Sequence, residues 1–199
     1  MAADPHPERS ELTTGLLLAA YSEGFFPMGD ELGELDWHNP DPRAVFPLED
    51  LRPNARFRRF LRNSGLRCTI DADLEKVMQS CATVHGDPQI PEEMIAAYTA
   101  LHRLGHAHSV ESWADEELVG GIYGVSIGAA FFGESMFSLV PNASKAAFFH
   151  LAVHLRECGF TLFDSQYLND HTASLGAIEI PRSKFLKRLH SAVQRPTSF

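Results

Sequence analysis

The run from Glu117 to Phe137, ELVGGIYGVSIGAAFFGESMF, most constrains what this chain can fold into. It is rich in β-branched and aromatic residues, so it reads as two or more strands broken by glycines. The chain contains no GxxxxGK[ST] run, and no GxGxxG follows a strand before a helix, so these glycines are not a phosphate loop. They mark a bulge, or places where backbone or a ligand comes close to the sheet. RCTI and AHSVESW precede the run as strands, and FTLFD follows it as another. Helices fill the gaps. Thr13 or Thr14 caps one that stops at Gly24, and Asp71 or Asp73 caps one through Cys81. Pro91 opens a helix that Gly105 ends, and Asn142 or Ser144 caps one that Gly159 closes. A short helix lies near Asp170 to Leu175, and Pro181 opens the last. From about residue 66 the order is β, α, α, β, β, β, α, β, α, α. Strands alternating with helices around an antiparallel meander predict an α+β fold, an α/β sandwich and not a doubly wound sheet.

The first forty residues read differently. FFPMGDELGELDWHNPDPR has no helical period and holds Pro27, Pro40 and Pro42, yet its Phe, Met and Trp are too apolar for a plain linker. It is either a loop packed on the core or a small lobe that walls a cleft. The 199 residues suffice for one full domain with such a lobe, and the division expected is 1–41 and 42–199. Three cysteines with no CxxC favour a reducing compartment and free thiols. GLLLAA is too short for a signal segment or a membrane span, so the chain reads as cytoplasmic with no membrane partner.

Charge adds one asymmetry. The formal net charge of −9 argues against indiscriminate nucleic-acid coating. Within that acidic chain, LRPNARFRRFLRNSGLR at 51–67 carries six arginines and no acid. It is either a solvated helix face or a phosphate-contacting patch, since guanidinium forks match phosphate oxygens.

Several constellations could carry chemistry. His102, His106 and His108 are split by a helix end at Gly105 and lack a completing Cys or acid, so no metal is expected. Cys158 beside His154 at a helix C-terminus lacks an oriented base and sits where the dipole disfavours a thiolate. Glu134 lies among Phe131, Phe132, Met136 and Phe137; it either points to solvent or anchors a cationic group such as an ammonium. Asp164 and Gln166 are two apart at a strand end and share a face. Asp164 holding the Gln166 amide would polarise its carbonyl oxygen toward an amine. Asn169, Asp170 and His171 follow where a helix begins, and capping explains one of them. A polar turn and a catalytic site both remain open on these residues alone.

LHRLGHAHSVESW, ELVGGIYGVSIGAAFFGESMFS, NASK and FDSQYLNDHTASLGAIEIPR, together with NPDPRAVF and AAYSEGFFP, resemble the leucyl/phenylalanyl-tRNA–protein transferases from about Leu16 to Leu189. The resemblance implies transfer of Leu or Phe, and Met less well, from a charged tRNA to the N-terminal amine of proteins beginning with Lys or Arg. It implies marking for N-degron proteolysis, and a GNAT-like domain with a small N-terminal lobe that uses no acetyl-CoA or other cofactor. Position by position it makes Asp164 and Gln166 the catalytic pair, sets Glu134 near the aminoacyl amine and places Asn169 close by. It assigns Ile122, Phe131, Phe148, Leu151, Phe163 and Ile180 to the side-chain pocket, and Tyr21 and Tyr98 to the terminal adenosine. Arg52, Arg56, Arg58, Arg59 and Arg62 would face tRNA. Met28 and Gln89 stand where such proteins carry tryptophan; Met28 remains an adaptable apolar wall, but Gln89 cannot stack like an indole. Apart from the resemblance, the acidic segment GDELGELD, with Asp30, Glu31 and Glu34, is either a solvated loop or an attractor for the cationic first residue of an acceptor protein. The alternatives are a CoA-dependent N-acyltransferase, against which NAS is no glycine-rich pyrophosphate turn, and a tRNA acceptor-end binder without transfer activity, against which the Asp164–Gln166 pair stands.

Overall fold

The computed structural model describes residues 12–29, 35–85 and 90–199. Its main feature is a mixed seven-stranded sheet in an α+β arrangement. The meander expected from the glycine-rich run forms its centre: β4 (Arg67–Ile70), β5 (Ala107–Ala114), β6 (Glu117–Ile127) and β7 (Ala130–Ser138) pair antiparallel in chain order. A helix, α5 (Ala143–Glu157), then crosses over to β8 (Leu162–Gln166), which lies parallel to β7.

Three strands between residues 26 and 46, and a short one near the C-terminus, go beyond the sequence expectation. β1 (Phe26–Gly29) and β2 (Leu35–His38) make a separate antiparallel pair. β3 (Arg43–Phe46) and β9 (Ile178–Ile180) complete the large sheet beyond β8. Each of the four is only three or four residues long and several adjoin prolines, so no alternation develops for a pattern to show.

Helices cover both faces. On one face α1 (Thr14–Ser22), α3 (Leu74–His85), α4 (Glu92–Arg103) and α7 (Arg182–Val193) bury Tyr21, Tyr98, Val77 and Phe185 against Phe132 and Leu162. On the other, α2 (Ala55–Asn63), α5 and the end of α6 (Asp170–Leu175) bury Phe57, Phe148 and Leu175 against Phe46, Phe131 and Phe163. Thr13, Asp73 and Asn169 cap as their chemistry requires, each accepting a hydrogen bond from a backbone N–H inside its helix. The start of α5 differs from expectation. Asn142 occupies the cap position in a left-handed conformation and makes no side-chain cap; the Ser144 N–H is held instead by Ser138 Oγ at 3.1 Å.

Two features of the sheet position the site. The parallel pairing of β7 with β8 covers only Ala130–Phe132 against Leu162–Asp164, after which the strands part. Gln166 ends β8 in the left-handed region at φ 65°, opposite a register shift in β3 between Ala44 and Val45. The second feature is Gly120. A Cβ there would lie 2.6 Å from Ala143 Cβ and 2.8 Å from backbone atoms of Ala143 and Ser144, so the missing side chain lets α5 rest directly on β6. Gly120→Ala is expected to destabilise the fold by about 1–3 kcal/mol through overpacking. Gly15→Ala, in α1 with nothing within 4 Å, should instead raise stability by roughly 0.5–1 kcal/mol. Urea midpoints of the two variants check both signs.

Candidate active site

Two cavities lie where β7 and β8 part, and Glu134 and Ser135 belong to the walls of both. The larger, about 440 Å³, has an apolar floor of Phe46, Ile122, Phe137 and Phe163 with Met136 and Val84 at its sides. Ser144, Ser165, Asn169 and Thr172 supply its polar contacts. The smaller, about 300 Å³, is bounded by Pro27 and Met28 of β1, Cys81 and Ala82 of α3, Ile90, Met94, Tyr123 and Gln166.

Glu134 joins them chemically. Its Oε1 accepts hydrogen bonds from Tyr21 Oη at 2.7 Å and from Gln166 Nε2 at 2.8 Å. The Tyr21 hydroxyl also meets that of Tyr98. Burial pushes the Glu134 carboxyl from its ordinary 4.5 up to about 7, against the lowering pull of those two hydrogen bonds. The hydroxyls of Tyr21, Tyr98 and Tyr123 are pushed well up by burial, and next by the charge of Glu134.

Asp164 is fully buried and contributes to neither cavity wall. Its carboxylate receives the guanidinium fork of Arg43, with Nε to Oδ1 at 2.9 Å and Nη2 to Oδ2 at 2.6 Å. Oδ1 also accepts the Gln166 backbone N–H at 3.0 Å. The expected contact between Asp164 and the Gln166 side chain is thus replaced. Asp164 holds the backbone of Gln166, and Glu134 holds the amide. The reason lies in the left-handed backbone of Gln166, which brings its N–H back to Asp164 and sends its side chain toward β7.

The other expected residues divide into those at the cavities and those behind them. Ile122, Phe163 and Asn169 line the larger cavity and Met28 the smaller. Phe131, Phe148 and Leu151 stand in the core behind that floor; the Phe163 ring is 5.6 Å from Phe131 and 5.8 Å from Phe148, centroid to centroid. Ile180 does not belong with them. It packs on the opposite face with Tyr21 and Phe185, because β9 pairs it with Arg43 at the sheet edge. Tyr21 and Tyr98 are fully buried with hydroxyls turned to Glu134 or to each other, so neither offers a ring face for a base to stack on. Arg52, Arg56, Arg58, Arg59 and Arg62 are all exposed on and beside α2, and among the described residues none has a carboxylate within 4 Å. Gln89 and the acidic trio Asp30, Glu31 and Glu34 lie outside the described residues.

One group among the described residues brings metal-type donors together: Asp71, His102 and His108, with ligand atoms within 4.8 Å of one another. Hydrogen bonds account for these atoms. His108 Nδ1 meets Asp71 Oδ2 at 2.7 Å, and its Nε2 lies 3.1 Å from Ser126 Oγ. His102 Nδ1 meets the Ala107 carbonyl at 2.7 Å, and Asp71 Oδ1 accepts the Ser109 N–H.

Sequence reasoning missed Arg43, Phe46 and Tyr123 at this site. Arg43 is separated from Asp164 by 121 positions, so no local pattern links them. Phe46 and Tyr123 lie within strand segments whose two faces are both covered, where alternation does not tell which residue borders a cavity.

The model for leucyl/phenylalanyl-tRNA protein transferases matches residues 45–190, and that for their N-terminal domain matches 10–41. The chain belongs to this family. A leucyl/phenylalanyl-tRNA–protein transferase of Gloeobacter violaceus is 47% identical over 189 residues, covering 94% of this chain and 97% of that one. The corresponding protein of Pseudoalteromonas atlantica is 46% identical, covering 94% of this chain and 81% of that one. That of Yersinia enterocolitica is 49% identical over 180 residues, covering 90% and 76%. No helix among the described residues is long and apolar enough to cross a membrane.

The raised carboxyl makes a pH prediction. Native Glu134 holds its proton up to about pH 7, whereas the unfolded chain releases it near 4.5. The native state therefore binds more protons between these values, and stability falls as pH rises through that window. Glu134→Gln should shrink the drop in urea midpoint between pH 5 and pH 8 relative to the unmutated chain; an equal drop would show that Glu134 titrates normally.

Proposed function

We propose that this chain transfers Leu or Phe, and Met less well, from aminoacyl-tRNA to the N-terminal α-amine of proteins beginning with Lys or Arg. The products would enter N-degron proteolysis in the cytoplasm, and no cofactor or metal takes part. The observation that carries this reading is the Glu134–Gln166 pair set between an apolar cavity and a smaller, more polar one. Family membership supplies the two substrates.

The reaction is aminolysis of an ester. The acceptor amine attacks the aminoacyl carbonyl carbon, the bond to the ribose oxygen breaks, and the amine loses a proton that the ribose oxygen gains. The aminoacyl side chain occupies the larger cavity, whose rings and methyls accept apolar side chains and reject charged ones. One methylene there is worth only about 1–3 kcal/mol, which suits tolerance among Leu, Phe and Met. The terminal adenosine occupies the smaller cavity beside Met28. Because Gln166 donates an amide N–H to Glu134, its carbonyl oxygen is the group left to orient the attacking amine and take up developing positive charge. An α-amine with a reference pKa of about 7.7–8.0 is already partly neutral at working pH, so no strong base is needed. The sheet, with its β7–α5–β8 crossover and parting strands, supports a GNAT-like acyltransferase domain over 42–199. The separate β1–β2 pair supports a small lobe over 1–41.

The deciding assay follows radiolabelled Leu and Phe from charged tRNA onto peptides beginning with Arg, Lys or Ala, with acetyl-CoA as a competing acyl source. Transfer from tRNA to the Arg and Lys peptides is the expected result. Label transfer from acetyl-CoA alone, or tRNA binding without transfer, would reject it. Gln166→Ala should abolish transfer while tRNA binding persists. Separately, charge reversal at Arg56, Arg58, Arg59 and Arg62 should raise the KM for tRNA. Each arginine–phosphate ion pair so removed should reduce the slope of log affinity against log salt by about 1. An unchanged slope would make α2 a merely solvated face.

A further inference from the structure

The Arg43–Asp164 ion pair is buried, reaches neither cavity, and yet every group at the reacting end of the site traces back to it. Both side chains are fully buried. Arg43 commits its three kinds of N–H to fixed acceptors: Nε and Nη2 to the two oxygens of Asp164, and Nη1 to the Gly24 carbonyl at 2.9 Å. Its guanidinium is sandwiched between the Phe26 ring at 4.7 Å and the Phe185 ring at 4.5 Å. Two chains of contacts leave this clamp. Through Asp164 Oδ1 it fixes the backbone N–H of Gln166, and so the left-handed turn that aims the amide at Glu134. Through Gly24 it fixes the junction between α1, which bears Tyr21, and β1, which bears Met28. Tyr21 holds Glu134 from the other side, and Met28 walls the smaller cavity.

We propose that Arg43 is a positioning residue for the transfer reaction, setting the Gln166–Glu134 pair through Asp164 and the adenosine wall through Gly24. Asp164 is then a link in this chain and not a proton carrier. Its oxygens already hold three donors, and it has no exposed surface with which to meet a substrate. The inference rests on the transferase reading, so its test includes a readout that needs no activity.

Arg43→Ala leaves a buried carboxylate without its partner and a guanidinium-sized space. Guanidinium ion should refill that space. In Arg43→Ala, kcat should fall by about 100-fold, the effect typical of an ångström-scale misplacement, and the KM for tRNA should rise as the Met28 wall shifts with Gly24. Millimolar guanidinium should restore at least tenfold. Arg43→Ala combined with Asp164→Asn carries no unpaired buried charge; it should fold, remain equally slow, and show no rescue. In a spectrum of 15N-labelled protein, the Gln166 side-chain amide, assigned with Gln166→Ala, should titrate with Glu134 in the unmutated chain. It should lose that titration in Arg43→Ala and regain it with guanidinium. A folded single or double variant with full kcat would overturn the proposal. So would an amide signal that still titrates in Arg43→Ala, whatever the transfer assay gives.

Discussion

A buried guanidinium fork holds this molecule's site in place. Placing Arg43 and Asp164 together out of water is unfavourable, and a well-packed apolar pair often stabilises a fold as well or better. What the ion pair provides here is direction. A hydrophobic pair of the same size could fill the space between Phe26 and Phe185, but it could not hold a carbonyl from the α1–β1 junction and a backbone N–H from β8 at fixed distances. The sheet arranges this by ending β8 with a residue in the left-handed region and by slipping register in β3 opposite to it. Both departures from regular pairing fall beside the same carboxylate.

Glu134 completes the arrangement from the neighbouring strand. Because β7 and β8 pair over three residues only, Glu134 and Gln166 face each other across a gap instead of across a ladder of hydrogen bonds. A carboxylate between two cavities, with tyrosine on one side and an amide on the other, is held firmly but only partly neutralised. Burial raises its affinity for a proton, and the hydrogen bonds from Tyr21 and Gln166 hold that rise in check.

Much of the fold is legible in the sequence because the long elements follow simple periodicities. The 117–137 meander, α4 and α5 announce themselves through glycine breaks, apolar spacing and terminal glycines. The short strands β1, β2, β3 and β9 do not, since three or four residues hold no period. At the site, residue types in FDSQ and GES point to the right neighbourhood but not to the right partners. Asp164 reads as the holder of an amide and instead grips a guanidinium from far along the chain and a backbone N–H two residues on. Tyr21 and Tyr98 read as ring faces and function as hydroxyls, because their rings are packed into the core. Ile180 reads as pocket, but the edge strand that carries it turns it to the other face. In each case the residue type is informative, and what stays hidden is a long-range pairing or a strand face.

The bare backbone at Gly120 has a consequence for how such a site can diverge. With α5 resting on β6 where a side chain would otherwise intervene, the helix that brings Ser144 to the wall of the apolar cavity is seated by direct contact with the sheet backbone. Swapping floor residues such as Phe163 or Ile122 disturbs a core packed behind them by Phe131 and Phe148. Met136 and Val84 stand at the cavity's sides and are less enclosed, although Met136 also packs on that core and meets His171 Nε2 at 3.2 Å. Under the proposed reading, in which the aminoacyl side chain fills this cavity, Val84, 42% exposed, is the apolar wall position whose substitution disturbs the core least.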